Sequence, residues 1–110
     1  MTTPPEPVVT VARYEVSLLP ETDINRHVFT LRVEYRGHSR WAVTDGHRCL
    51  AADGTWSWES IPSERADDWL DRHRHDLDTA LDLAREYAPL IRVNGHTALD
   101  AYYATTEETP

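Results

Sequence analysis

A chain of 110 residues is long enough for one domain with a modest core and too short for two. Its net charge of −8 argues against direct nucleic-acid binding or adhesion to anionic lipid, both of which need clustered cations. Its apolar runs are too short to cross a bilayer, Met1 to Pro7 lacks the basic and hydrophobic regions of a secretory signal, and the single cysteine, Cys49, fits a reducing cytoplasm.

Residues 1–10, rich in Pro and Thr, read as a flexible arm, residues 11–104 as a single α+β domain, and 105–110 as a flexible tail. A first strand is expected over Val11 to Leu19, where Tyr14, Val16 and Leu18 alternate with Arg13, Glu15 and Ser17. Pro20 ends it. A second runs from Val28 to Arg36, with Phe29, Leu31, Val33 and Tyr35 on one face and Thr30, Arg32 and Glu34 on the other. One face of this sheet should therefore be wet and the other buried.

Gly37-His38-Ser39 turns the chain into three short strands, about 40–44, 47–51 and 55–59, separated by Asp45-Gly46 and Asp53-Gly54. Asp-Gly suits a two-residue hairpin turn because both central positions need positive φ. Counting from two such turns pairs Trp41 with Leu50, Val43 with Arg48, Ala42 and Trp58 with Cys49, and Ala51 with Trp56. Trp56 and Trp58 then lie on the face opposite Trp41 and Leu50. Either that end of the sheet is covered on both sides, or the two tryptophans form an exposed patch; a single β-bulge reverses the assignment.

Beyond Pro62, Ser63 is a candidate N-cap for a helix over about 64–73, and Asp76 for a second over 77–88. Leu77, Ala80, Leu81, Ala84 and Ala88 form the core stripe of the second, widened by Leu83 and Tyr87. Pro89 stops it. Leu90 to Val93 reads as a strand, Asn94-Gly95 as a turn, and Thr97 with Asp100 as a capping box opening a helix over 98–104. The expected fold is α+β: an antiparallel β-meander of about five strands with C-terminal helices packed on one face.

His73 and His75 are the only cluster resembling a metal site, with His47 or His96 as a third ligand from elsewhere. An i, i+2 spacing does not share a helical face, so they converge only where the chain turns. His47 and Cys49 share a strand face and could be imagined as a base and nucleophile, but no third residue orients them. Cys49 reads better as a small buried residue. On the second helix Asp78, Asp82 and Glu86 form an acidic stripe able to meet a basic partner or mimic a phosphate backbone, or simply to be solvated. Trp56 and Trp58 are candidate contact residues because exposed tryptophan is costly and enriched at binding hot spots. All eleven cations are arginine, scattered along the sequence, and there is no lysine or glutamine. A GC-rich genome accounts for this more simply than selection for bidentate recognition.

The run Tyr14-Glu15-Val16-Ser17-Leu18-Leu19-Pro20, Trp41-Ala42-Val43, Cys49-Leu50 with Asp53-Gly54-Thr55-Trp56, Asp68-Trp69-Leu70, Thr79-Ala80-Leu81 and Val93-Asn94-Gly95 resembles small uncharacterised proteins of GC-rich actinobacteria and their phages or integrated elements. The resemblance implies an accessory role and brings no catalytic residue or cofactor. The expected function is that of a cytoplasmic, non-enzymatic accessory or regulatory protein, binding a protein partner or itself through Trp56 and Trp58, through Asp78, Asp82 and Glu86, or through both. The alternatives are a metal-binding protein or metal enzyme built on His73 and His75, and an acidic nucleic-acid mimic that inhibits a DNA-binding protein.

Overall fold

The strong alternation of Tyr14 to Ser17 and of Leu31 to Tyr35 builds the first two strands, β1 (Arg13–Ser17) and β2 (Thr30–Tyr35). The computed structural model describes residues 2–59 and 65–107, the last three by backbone alone. β3 (Trp41–Thr44), β4 (Arg48–Leu50) and β5 (Trp56–Trp58) complete an antiparallel sheet of order β1-β2-β3-β4-β5. Helices α1 (Asp67–His73), α2 (Leu77–Tyr87) and α3 (Ala98–Glu107) follow, with a small hairpin, β6 (Arg92–Val93) and β7 (His96–Thr97), before α3. The expected α+β meander is the observed fold.

Helix α2 starts where Asp76 accepts a hydrogen bond from the Thr79 N–H at 2.8 Å. The reciprocal bonds of Thr97 and Asp100, 3.0 and 3.1 Å, open α3. α3 continues past the expected end at residue 104 to Glu107. Pro89 sits within a 3-10 turn, Ala88–Leu90, that terminates α2. The Ser63 cap lies outside the described residues.

Leu31, Val33, Trp41, Val43 and Leu50 from the sheet and Ala80, Leu83, Ala84 and Ala88 from α2 and its end form the main core. Small residues on α2 let the helix approach the large residues of the sheet. Leu19, Phe29 and Ala98 form a second core under α3.

Two registers differ from those counted on Asp-Gly turns. Thr44 pairs with Cys49, so the first reversal centres on Gly46-His47 rather than on Asp45-Gly46. Asp45 fixes it by accepting from the N–H groups of His47 and Arg48 at 2.9 and 2.8 Å and from the Arg48 guanidinium. Partners move by two residues, which leaves every face unchanged. The second change has larger consequences. Leu50 pairs with Trp56, Cys49 with Ser57 and Arg48 with Trp58. The Ala51 N–H donates to the Thr55 carbonyl at 2.9 Å and closes a three-residue loop with Gly54 at φ +91°. The Asp53 carboxylate holds it through the Thr55 N–H and hydroxyl. A one-residue slip exchanges faces. Trp56 and Trp58 therefore share the face of Trp41 and Leu50, which corrects the expectation that they oppose it.

The other face of β3–β5 carries Ala42, Thr44, Cys49 and Ser57, all small. Room is left for α1, whose Trp69 indole N–H donates to the Ser57 hydroxyl at 3.0 Å. The sheet thus carries α2 on one face and α1 on the other, while Trp58 at the end of β5 stays exposed on the α2 side. Among the described residues no helix is long and apolar enough to cross a membrane.

Candidate functional site

The register of β4 and β5 creates a groove of about 290 Å³ between this hairpin and the segment that follows α2. Leu31, Trp56, Tyr87, Ile91 and Val93 supply apolar walls, and Asp45, His47, Arg48 and Arg92 the polar rim. Trp56 is half-buried and packs against the main core. The Arg48 guanidinium lies over its ring at 5.3 Å and is held there by Asp45 at 3.0 Å. Burial would raise the Asp45 carboxyl, but the hydrogen bonds from Arg48 and His47 hold it below its ordinary value, so it stays ionised.

Trp58 stands two residues along the same strand, on the same face, and is 70% exposed. His47 is its neighbour, with ring centroids 6.1 Å apart. Leu90, 57% exposed, and Val28 extend the apolar surface on the far side. Two tryptophans two positions apart on one strand thus divide their work: Trp56 forms the wall and Trp58 is left open to solvent. A larger hollow of about 530 Å³ lies beside α3, but its Asp100 is engaged as a cap and its His27 Nδ1 bonds to the Ile24 carbonyl.

On the opposite face the structure assembles a group that sequence spacing did not reveal. Glu59 accepts two hydrogen bonds from Arg36, 3.2 and 2.9 Å, and one from Arg74 at 2.5 Å, with Arg65 at 3.8 Å. Arg36 also reaches Glu34 at 2.9 Å. Arginines scattered in sequence converge in space, and the Arg36–Glu59 pair is bidentate. Burial would raise the Glu59 carboxyl, but the Arg36 hydrogen bond and the charges of Arg36 and Arg74 win and hold it at about 2.

His73 and His75 are both buried beside this group. His73 stacks on Trp69 with centroids 4.3 Å apart and donates from Nδ1 to the Trp69 carbonyl at 2.7 Å. His75 fills the gap where β4 leaves β3. Its backbone bridges Trp41 through two hydrogen bonds, 2.7 and 2.9 Å, and its Nε2 donates to the Leu50 carbonyl at 2.9 Å. Among the described residues no three His, Cys, Asp or Glu side chains come together in a metal-binding arrangement. His75→Ala leaves the Leu50 carbonyl without its partner and opens a cavity, and should cost about 2 kcal/mol in urea unfolding. The same loss is expected with and without a chelator; a deficit that disappears in chelator would place a metal on that ring.

His47 and Cys49 do not form a pair. His47 is exposed next to Trp58, whereas Cys49 is fully buried on the other face, with Arg74 Nη1 4.0 Å from its sulfur. Burial, then the negative charge of Glu59, push its thiol up to about 11. The thiolate is the reactive form, so a disulfide thiol reagent at pH 8 should label Cys49 only as fast as the protein unfolds. Rapid stoichiometric labelling of the native protein would contradict that burial.

Asp78, Asp82 and Glu86 lie exposed on the outer side of α2, with Asp82 paired to Arg85 at 3.1 Å. None of them lines a described cavity. Comparison of the chain with known protein families, with curated proteins and with solved structures finds no match.

Proposed function

We infer that this protein is a small, non-enzymatic accessory or regulatory protein of the cytoplasm that acts by holding an extended segment of a partner protein in the Trp56 groove. The observation that supports this reading is an exposed Trp58 beside a walled apolar groove whose rim is basic, on an otherwise acidic molecule. Leaving Val28 and Leu90 on the groove, and Trp58 against its His47 rim, open to water is unfavourable unless something covers them. Tryptophan and arginine are also the residue types that dominate binding energy at protein contacts. The groove suits one large apolar side chain on the Trp56 and Ile91 walls. A carboxylate next to it in the partner would meet Arg92, because Asp45 already occupies Arg48.

Selection of displayed random peptides against the full chain tests this. Peptides with a large apolar residue adjacent to Asp or Glu should be enriched, and Trp58→Ser or Arg92→Glu should each weaken their binding at least about tenfold, equivalent to ~1.4 kcal/mol. No enrichment, or enriched peptides indifferent to both substitutions, would overturn the proposal.

A further inference from the structure

The outer edge of the sheet suggests a second interaction, independent of the groove. β1 is an edge strand with β2 on one side, and among the described residues no strand pairs with its other side. Natural sheets protect such edges with proline, lysine or bulges. Residues 8–19 contain no proline or lysine, between Pro7 and Pro20, and the ladder over Arg13–Ser17 runs without a bulge, so the only charges on this edge are the opposite pair Arg13 and Glu15. Residues 2–13 are exposed throughout. Val9 is 96% exposed, and Val8 and Val11 also face water. The radius of gyration is 17.1 Å, against roughly 13 Å for a compact chain of about this size, as expected when an arm stands away from the domain.

The backbone specifies which groups face outward. The Ala12 carbonyl accepts from the Tyr35 N–H at 2.9 Å, continuing the ladder in which Arg13 opposes Glu34 and Glu15 opposes Arg32. Antiparallel hydrogen bonding alternates along a strand. The free N–H and C=O groups are therefore those of Val11, Arg13, Glu15 and Ser17. A second copy related by a two-fold axis must pair these outward residues with one another. If Arg13 opposes its own copy, two arginines collide; if Glu15 opposes its own copy, two glutamates do. The register between them places Arg13 opposite Glu15 twice, Val11 opposite Ser17 twice, and Tyr14 on the axis. The charge order across the four strands is then Glu34, Arg13, Glu15, Arg32, alternating in sign throughout. Arg13 and Glu15, about half-exposed and already 3.2 Å apart within one chain, lie on the same face and can re-pair across the axis.

We propose that β1 pairs antiparallel with β1 of a second copy in this register, joining two five-stranded sheets into one, with the valine-rich arms continuing along the junction. The ladder alone is short for a stable interface, and apolar contact from Val8, Val9 and Val11 supplies what the hydrogen bonds do not.

Analytical ultracentrifugation of the full chain and of two charge reversals decides this. The wild type should dimerise in a concentration-dependent way. Arg13→Glu and Glu15→Arg should each raise the dissociation constant at least about tenfold, since each sets like charges opposite one another twice. An equimolar mixture of the two variants should restore a 1:1 heterodimer, because their charges are then complementary. Circular dichroism verifies that each variant is folded. A wild type that stays monomeric, a reversal that still dimerises like wild type, or a mixture that forms no heterodimer would each overturn the proposal.

Discussion

Glu59→Gln will destabilise the fold by about 2–4 kcal/mol, because it removes the carboxylate that neutralises a largely buried guanidinium group. Arg74 is 6% exposed, and Glu59 is the carboxylate it bonds. Arg36 retains Glu34 and loses its bidentate partner. The partial exposure of Glu59 and Arg36 reduces the figure from that of a fully buried pair. The pH dependence has a defined sign. The folded carboxyl, at about 2, lies below its ordinary value of 4.5. The stabilisation is therefore fully present above about 4.5 and is lost as pH falls from there towards 2. Urea titrations of wild type and Glu59→Gln at pH 7 and pH 3 check both points: the gap between them should narrow at the lower pH. A constant gap would mean that the carboxylate charge is not the source of the stability.

Gly54→Val will cost about 3 kcal/mol and will perturb the groove as well as the fold. Gly54 has φ +91°, a conformation that a β-branched residue adopts only with strain. A Cβ there would also collide with the Tyr87 hydroxyl, and Tyr87 is a groove wall. Both effects act at the residue that sets the β4–β5 register. Gly46→Val offers a control: its φ is also positive, but its nearest neighbour is the Arg32 guanidinium at 3.1 Å, the end of a flexible side chain. Thermal unfolding should rank Gly54→Val below Gly46→Val, and peptides selected on the wild type should bind Gly54→Val more weakly.

Much of the fold was legible because its signals are local. Alternation around Tyr14 and Val33, the Asp76 cap, and the Thr97 and Asp100 box each depend on residues within a few positions of one another. The β4–β5 face was not legible in the same way. Asp53-Gly54 serves a two-residue turn or a three-residue loop with Gly in the left-handed position, and the two differ by one residue of register. Its outcome follows from contacts with Thr55 and from the packing of Tyr87, over thirty positions away, beneath Gly54. The arginine cluster was hidden for a related reason: Arg36, Glu59, Arg65 and Arg74 come from separate segments, and no spacing marks them. Trp56 and Trp58 are identifiable as contact candidates by residue type, whereas the face they occupy depends on that single residue of register.

The four tryptophans permit the most direct test of the docking account, through the four indole N–H signals in a nitrogen–proton NMR spectrum of the full chain. Titrating in a selected apolar-acidic peptide should shift the signals of Trp56 and Trp58 and leave those of Trp41, inside the core, and Trp69, bonded to Ser57 on the opposite face, in place. Shifts confined to Trp69, or none at all while the peptide binds, would contradict the assignment of the groove as the binding site.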